Sequence, residues 1–90
     1  MNHLLNFKFE AACFSVKYLT KKPSDEELLE LYGLYKQATV GSNNTSKPSG
    51  FLNIKEQKKW DSWMKYKTLS SDDAKNQYIN LYEKLKLKYK

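Results

Sequence analysis

The sequence predicts an all-α fold, a bundle of four helices. Two observations lead to this prediction. In four separate segments the apolar residues recur at intervals of three and four, which is the spacing of one face of a helix. No segment rich in Val, Ile and Thr alternates with polar residues beside an Asn-Gly or Asp-Gly turn, so no strand is predicted.

The first helix is predicted from Phe9, Cys13, Val16 and Leu19, which repeat at intervals of four, three and three. This spacing gives the helix one apolar stripe. We expect the helix to end before Pro23, because proline cannot continue the helical hydrogen-bond pattern.

The second helix has a clear start signal at Ser24. Its hydroxyl suits the N-cap position, and Glu27 completes a Ser-x-x-Glu capping box. The acidic residues of this first turn also suit the positive end of the helix dipole. We expect the helix to run to about Val40 and to be followed by Gly41 in the left-handed conformation.

A surface loop is predicted over residues 42–53, where the composition changes to Ser, Asn, Thr, Pro and Gly without an apolar period. Short links force neighbouring helices to be antiparallel, whereas about a dozen residues can cross a bundle. The length of this loop therefore allows helices two and three to lie side by side in an orientation other than antiparallel.

The third helix is predicted from about Lys55 to Lys67, with Trp60, Trp63 and Met64 on one side. Indole rings stack well on planar groups, so the two tryptophans suit a binding role. Their spacing of three favours burial between helices instead, and we expect mainly packing.

The fourth helix is predicted to begin after Ser70, an N-cap followed by acidic residues, and to continue to the end of the sequence. Its apolar stripe has nearly ideal helical spacing. The stripe consists of Ala74, Tyr78, Leu81, Tyr82, Leu85 and Tyr89. Aromatic residues on such a stripe usually belong to the core.

Length and charge restrict the possible classes of protein. Ninety residues are enough for one small core, so residues 1–90 are predicted to be a single domain. All 16 basic residues are Lys, against 10 acidic residues, and the formal net charge is +6. Such a chain attracts anions in general. The absence of Arg argues against reading of DNA bases, for which the guanidinium fork is best suited.

Cysteine content and hydropathy indicate the compartment. Cys13 is the single cysteine, so it cannot form an internal disulfide, as is usual in reducing compartments. No hydrophobic run is long enough to span a bilayer, and Leu4-Leu5 is too short for a signal peptide core. We expect a soluble, cytoplasmic protein that is a monomer.

Residues for catalysis are scarce. The single histidine, His3, lies at a terminus that we expect to be frayed, and Cys13 lies on an apolar stripe without a basic partner. No phosphate-binding glycine loop, dinucleotide fingerprint or zinc spacing is present. We expect no enzyme, no catalytic residue, no metal and no cofactor.

A candidate ligand surface lies on the second helix. At about 100° per residue, Tyr32, Tyr35 and Lys36 fall within an arc of about 100°. Two aromatic rings and an ammonium group therefore converge on one face. This combination suits stacking on a base and holding a phosphate.

The string YGLYKQATVG from Tyr32, with KWDSW at residues 59–63, resembles the acyl-CoA-binding protein family, and the resemblance extends from about Phe9 to Tyr89. It implies a four-helix bundle of that type, in which the long loop crosses between helices two and three. It also implies a non-catalytic carrier that sequesters medium- to long-chain fatty acyl-CoA in the cytosol.

The resemblance implies a set of site residues. Tyr35 would stack on the adenine, while Tyr32, Lys36 and Lys59 would hold the 3′-phosphate of the CoA ribose. The full set of ligand contacts is Lys17, Tyr32, Gly33, Leu34, Tyr35, Lys36, Lys55, Lys59 and Tyr78. The acyl chain would lie against Leu28, Leu29 and Ile54. The family often has an aromatic residue in place of Ile54 and usually lacks one residue of the 47–50 stretch.

Two other functions are compatible with the charge. A basic helical module could bind nucleic acid through phosphates, although we expect no nucleic-acid partner. A peripheral membrane protein could use the lysines of 84–90, with Leu85 and Leu87 inserting into lipid. That segment has little apolar area, so we expect at most transient membrane contact.

Overall fold

The computed structural model describes residues 2–90, and this part of the chain contains four α-helices and no strand. The helices are α1 (His3–Ser15), α2 (Asp25–Thr39), α3 (Ile54–Lys65) and α4 (Ser71–Lys88). Short 3-10 turns lie at Val16–Tyr18 and Phe51–Asn53. The all-α prediction is confirmed.

Helix α1 begins earlier and ends sooner than its apolar stripe indicated. The Leu5 N–H donates to the Asn2 side-chain oxygen at 2.9 Å, an N-cap that makes His3 the first helical residue instead of part of a frayed end. The helix ends at Ser15 and tightens into a 3-10 turn. Val16 and Leu19 therefore pack against the core from beyond the α-helix.

Helix α2 has the predicted start and end. The Glu27 N–H donates to Ser24 Oγ at 3.2 Å, and the Ser24 N–H donates to Glu27 Oε1 at 2.8 Å, which completes the capping box. Gly41 follows the helix with a φ of +101°. Its N–H donates to the Lys36 carbonyl at 3.1 Å, so the predicted left-handed glycine is confirmed.

The helices form a thin plate with Cα extents of 39 × 34 × 16 Å. In this plate α4 packs against α1 and α2, and α2 also packs against α3. Contacts at both ends fix α2 and α4 as antiparallel. At one end Ser71 Oγ donates to the Ala38 carbonyl at 2.6 Å, and at the other end Lys88 Nζ lies 2.7 Å from Glu27 Oε2.

Helices α2 and α3 run in the same direction. Lys59 lies beside Tyr32, and one turn further along both helices Trp63 lies beside Lys36. The loop between them therefore crosses from the end of α2 back to the level of its start. The crossing that the loop length allows and the resemblance implies is confirmed.

The main core lies where α1, α2 and α4 meet. Its buried residues are Phe9, Ala12, Leu31, Leu34, Ala38, Ala74, Tyr78 and Leu85. The predicted stripe of α4 supplies three of them, with Leu81, Tyr82 and Tyr89 packed at the edge. Because Leu85 is 2% exposed, it cannot insert into lipid, and that part of the membrane hypothesis is wrong.

Helix α3 is attached to α2 through close packing and two hydrogen bonds. A methyl group at Gly33 would overlap the backbone of Ser62, so glycine permits this approach. Ser62 Oγ donates to the Leu29 carbonyl. The buried Trp63 donates its indole N–H to the Gly41 carbonyl at 2.7 Å.

Candidate functional site

Two lysines lie over aromatic rings where α2 faces α3. Lys59 Nζ is 4.9 Å from the ring centroid of Tyr32, and Lys36 Nζ is 4.7 Å from that of Trp63. Both are cation–π distances. We call these four residues the Tyr–Lys surface. The structure thus brings together Tyr32, Lys36 and Lys59, which the sequence had placed on two separate helices.

The positive charge of the Tyr–Lys surface is largely unmatched. Within residues 2–90, no carboxylate oxygen lies within 4.0 Å of Lys36 Nζ, and Lys59 Nζ has Glu56 Oε1 at 3.8 Å, near the limit of an ion pair. The two ammonium groups are positioned by rings and not by acidic partners. They therefore keep their capacity to bind an anion.

Tyr35 lies on the other side of the same helix face, toward α1. Its ring stacks on that of Phe9, with centroids 6.1 Å apart and planes inclined by 23°. The side chain is 43% exposed. A ring that is supported by the core on one side and open on another is a suitable platform for a planar group.

Tyr78 lies beneath this platform. It is 4% exposed and packs edge-on against Phe9, with centroids 5.2 Å apart. Burial raises the pKa of its hydroxyl, and the neighbouring Cys13 thiol raises that pKa further. Burial also raises the pKa of Cys13. Both groups are therefore neutral at physiological pH, and the predicted ligand contact of Tyr78 stays a prediction.

The remaining predicted head-group residues occupy different positions. Gly33 and Leu34 are buried behind the Tyr–Lys surface, where they pack helices together. Lys17 is exposed on the 3-10 turn after α1, and Lys55 is exposed in the first turn of α3. Lys55 lies one turn before Lys59 on α3, so it extends the positive surface along that helix.

The predicted apolar residues lie at one end of the α2–α3 pair. Leu28 and Leu29 are half-buried in the first turns of α2, and Ile54, the first residue of α3, is 52% exposed. The parallel course of the two helices puts these residues at the same end. The sequence reasoning missed Phe51 and Leu52, which are 79% and 86% exposed beside Ile54. An apolar run at the end of a polar loop was the available signal.

The two tryptophans have different environments. Trp63 is buried, in agreement with the packing prediction, whereas Trp60 is only half-buried. The Trp60 indole N–H donates to the Thr45 carbonyl at 3.1 Å. Lys47, whose ammonium lies 2.9 Å from Asp61, covers the Trp60 ring. These contacts, which sequence reasoning also missed, tie the loop to α3.

Two cavities lie outside the Tyr–Lys surface, and none of its four residues lines either of them. A cavity of about 300 Å³ is lined by Glu30, Tyr66, Lys84 and, of the predicted ligand contacts, Leu34. Another of about 430 Å³ is lined by Asn6, Lys75 and Phe9, the residue that supports Tyr35. Between residues 2 and 90, no group of three His, Cys, Asp or Glu side chains is arranged to hold a metal ion. None of the helices in that range has the length and apolar character needed to cross a bilayer.

Comparison with known proteins gives consistent matches. The sequence model of the family described as acyl CoA binding protein matches residues 6–82. An acyl-CoA-binding protein homolog of Drosophila melanogaster is 49% identical over 86 residues, covering 96% of this chain and 99% of the relative. The acyl-CoA-binding protein of Saccharomyces cerevisiae is 49% identical over 81 residues, covering 90% of this chain and 92% of the relative.

Solved structures agree with the sequence matches. The crystal structure of Oryza sativa acyl-CoA-binding protein 2 superposes with a TM-score of 0.87 at 39% identity, covering 93% of this chain and 90% of that chain.

Proposed function

This chain belongs to the acyl-CoA-binding protein family, and we propose that it carries medium- to long-chain fatty acyl-CoA thioesters, with the CoA head on the Tyr–Lys surface and the acyl chain in an apolar groove. One observation carries the assignment of the head. Lys36 and Lys59 lie over rings with their charge largely unmatched.

At the head, the 3′-phosphate of CoA would accept charge-assisted hydrogen bonds from Lys36 and Lys59. Each such bond contributes about 1.5 to 3 kcal/mol net. The adenine would stack on the exposed part of Tyr35, which Phe9 supports from behind. Lys17 and Lys55 would add secondary contacts with the phosphates. This end of the ligand would provide specificity for CoA.

At the tail, the acyl chain would lie against Leu28, Leu29 and Ile54. Each buried methylene contributes about 0.8 kcal/mol. A chain of about 14 carbons could thus contribute on the order of 10 kcal/mol before the cost of ordering is subtracted. The exposed Phe51 and Leu52 beside Ile54 offer further apolar surface. This end of the ligand would provide affinity and chain-length preference.

We also propose that the chain is a carrier without catalytic activity. The matched family is one of binding proteins, and His3, the one histidine, is exposed at the start of α1, a helix that contributes no residue to the Tyr–Lys surface. In this proposal residues 1–90 are a single acyl-CoA-binding domain, monomeric and cytoplasmic. The net charge of +6 would speed capture of the anionic ligand at low salt.

Titration calorimetry with palmitoyl-CoA and with free CoA tests the function. We expect both ligands to bind and palmitoyl-CoA to bind far more tightly. Native mass spectrometry of protein purified from cells should show mass increments of fatty acyl thioesters. A chain that ignores palmitoyl-CoA at micromolar concentration, or that binds an oligonucleotide with equal affinity, would contradict the proposal.

A further inference from the structure

Helix α1 carries a second apolar stripe on the side away from the core. Exposed apolar residues recur at intervals of three and four along the helix and the turn that follows it. They are Leu4, Phe7, Ala11, Phe14 and Tyr18, and we call them the outer stripe. Leu4 is 63% exposed, and the three aromatic residues are 70%, 63% and 71% exposed. The rings of Phe14 and Tyr18 pack together, with their centroids 5.1 Å apart.

The outer stripe is not a margin of the core. The inner face of α1 is formed by the buried Leu5, Phe9 and Ala12. At about 100° per residue, the centre of the outer stripe lies roughly 150° around the helix from this inner face. Bulky apolar side chains are thus held in solvent on the opposite side of an otherwise ordinary amphipathic helix. Contiguous exposed apolar surface of this kind marks an interaction site.

Charges at the borders of the outer stripe indicate its partner. Lys8 lies along one edge, and Lys17 lies along the other edge together with Glu10; all three are exposed. Lys21 and Lys22 follow the end of the stripe after two intervening residues and are also exposed. The border therefore has an excess of positive charge. An apolar helix face bordered by lysines is the pattern of helices that lie in the plane of an anionic membrane surface.

We propose that the outer stripe of α1, with its bordering lysines, is a docking surface for anionic lipid bilayers. Its aromatic side chains would enter the boundary between headgroups and acyl chains, with α1 lying parallel to the bilayer. Tyr18 suits this depth, because tyrosine places its ring in the apolar layer and its hydroxyl in water. The lysines would bind lipid phosphates and serine carboxylates.

A second copy of the chain fits the outer stripe less well. The stripe exposes on the order of 500 Å², whereas a stable protein interface needs about 800 Å² from each partner. Two copies would also bring the same lysine borders together, with like-charge repulsion. Binding to a bilayer increases with the apolar area that is buried, and an anionic bilayer supplies the opposite charge.

Co-sedimentation with vesicles free of acyl-CoA tests the proposal. We expect binding to phosphatidylcholine vesicles containing about 30% phosphatidylserine, and weaker binding to pure phosphatidylcholine. The triple variant Phe7→Gln, Phe14→Gln, Tyr18→Gln should lower the partition coefficient at least about tenfold. Leu87→Gln, which removes an exposed apolar residue from α4, is the matched control and should bind normally.

Further measurements separate docking from folding and from ligand binding. The triple variant should bind free CoA with the affinity of the original chain, because Gln favours helix and the changed residues lie outside the Tyr–Lys surface. A charge variant, Lys21→Gln with Lys22→Gln, should weaken binding to the anionic vesicles only.

Three results would overturn the proposal. One is an original chain that does not bind the anionic vesicles, and another is a triple variant that binds them equally well. The third is a micromolar dimer in sedimentation velocity that the triple variant abolishes, which would assign the stripe to a second copy. None of these results depends on the proposed acyl-CoA function.

Discussion

Lys88 on α4 and Lys36 on α2 both lie over aromatic rings, but only Lys88 has a carboxylate partner. Lys88 Nζ is 5.2 Å from the ring centroid of Tyr89 and 2.7 Å from Glu27 Oε2. Lys36 Nζ is 4.7 Å from the Trp63 centroid, and the described part of the chain places no carboxylate oxygen within 4.0 Å of it. We call Glu27, Lys88, Tyr89 and Ser24 together the Glu27 end.

The comparison separates charges that serve the fold from charges that are available to a ligand. At the Glu27 end, one carboxylate accepts hydrogen bonds from the Lys88 ammonium, the Tyr89 hydroxyl and the Ser24 N–H. These contacts join the start of α2 to the end of α4. On the Tyr–Lys surface the rings position the ammonium groups without neutralising them. The same residue types therefore join two helices at the Glu27 end and leave an anion site on the Tyr–Lys surface.

Removing the ring beneath Lys36 should have the largest effect. Trp63→Ala deletes a buried indole and leaves the Gly41 carbonyl without its donor. We expect a loss of about 3 to 5 kcal/mol in the free energy of unfolding, measured by urea denaturation. CoA affinity should fall as well, because α3 loses its attachment to α2.

Trp63→Phe is the matched control for this change. It keeps an aromatic ring under Lys36 while removing the hydrogen bond, which should cost about 1 to 3 kcal/mol, and a smaller part of the buried ring than alanine removes. If the alanine variant unfolds at the same urea concentration as the original chain, Trp63 does not hold α3 in place.

Removing the Lys36 side chain should weaken ligand binding and leave the fold intact. We expect Lys36→Ala to weaken the binding of palmitoyl-CoA and of free CoA by the same amount, about 1.5 to 3 kcal/mol, because the variant acts on the CoA head that the two ligands share. Stability in urea should fall by about 1 kcal/mol or less, since Lys36 has no carboxylate partner and loses only its contact with the Trp63 ring.

Lys86→Ala is the control, because it removes the same charge from an exposed position on α4. It should leave both affinities nearly unchanged at physiological salt. Unchanged CoA affinity in the Lys36 variant, measured by calorimetry, would remove Lys36 from the proposed site.

A smaller and more selective effect is expected at the tail. Leu28→Asn places a polar group beside the proposed acyl chain, and should weaken palmitoyl-CoA by about 1 to 2 kcal/mol. Free CoA should bind nearly as before. An equal loss for both ligands would show that the tail does not lie against Leu28. This variant and the Lys36 variant together divide the ligand surface into a charged half and an apolar half.

Much of the fold could be predicted because its signals are local. The capping box of Ser24 and Glu27, the left-handed Gly41 and the stripe of α4 depend on neighbours in sequence, and the structure confirms all three. Convergence of Tyr32 and Lys36 on one face followed from helical spacing alone. By contrast, the distance from Lys59 to Tyr32 depends on how α3 packs on α2.

The features that were missed involve pairing between distant segments or an unexpected face. The contact of Lys88 with Glu27 joins residues 61 positions apart, which no local pattern records. The outer stripe of α1 was hidden for a different reason. A helix with apolar residues on two opposite sides has a weak period, so the stripe through Phe9 was visible and the one through Phe14 was not.

The smallest expected effect concerns the Glu27 end, and it depends on pH. The Lys88 ammonium, then the Tyr89 hydroxyl and the Ser24 N–H, lower the pKa of Glu27 to about 2 from an ordinary 4.5. A lowered pKa gives stability that is complete above pH 4.5 and is lost as the pH falls toward 2. Glu27 also raises the pKa of Lys88 above its ordinary 10.5. The stability that comes from the charge of Lys88 is therefore lost only when the pH rises past 10.5.

Glu27→Gln should therefore lower stability slightly at pH 7, and this deficit should shrink as the pH falls from 4.5 toward 2. Glutamine can still accept from the Ser24 N–H, so the variant isolates the charge from the cap. The effect should be small because Lys88 is 60% exposed and salt screens its charge. Urea unfolding from pH 2.5 to pH 7, with Glu83→Gln as an exposed control on α4, measures it. If the stability of Glu27→Gln is lower than that of the original chain by the same amount at every pH in this range, Glu27 acts through packing. The difference between the Glu27 end and Lys36 would then not be a difference in how charge is used.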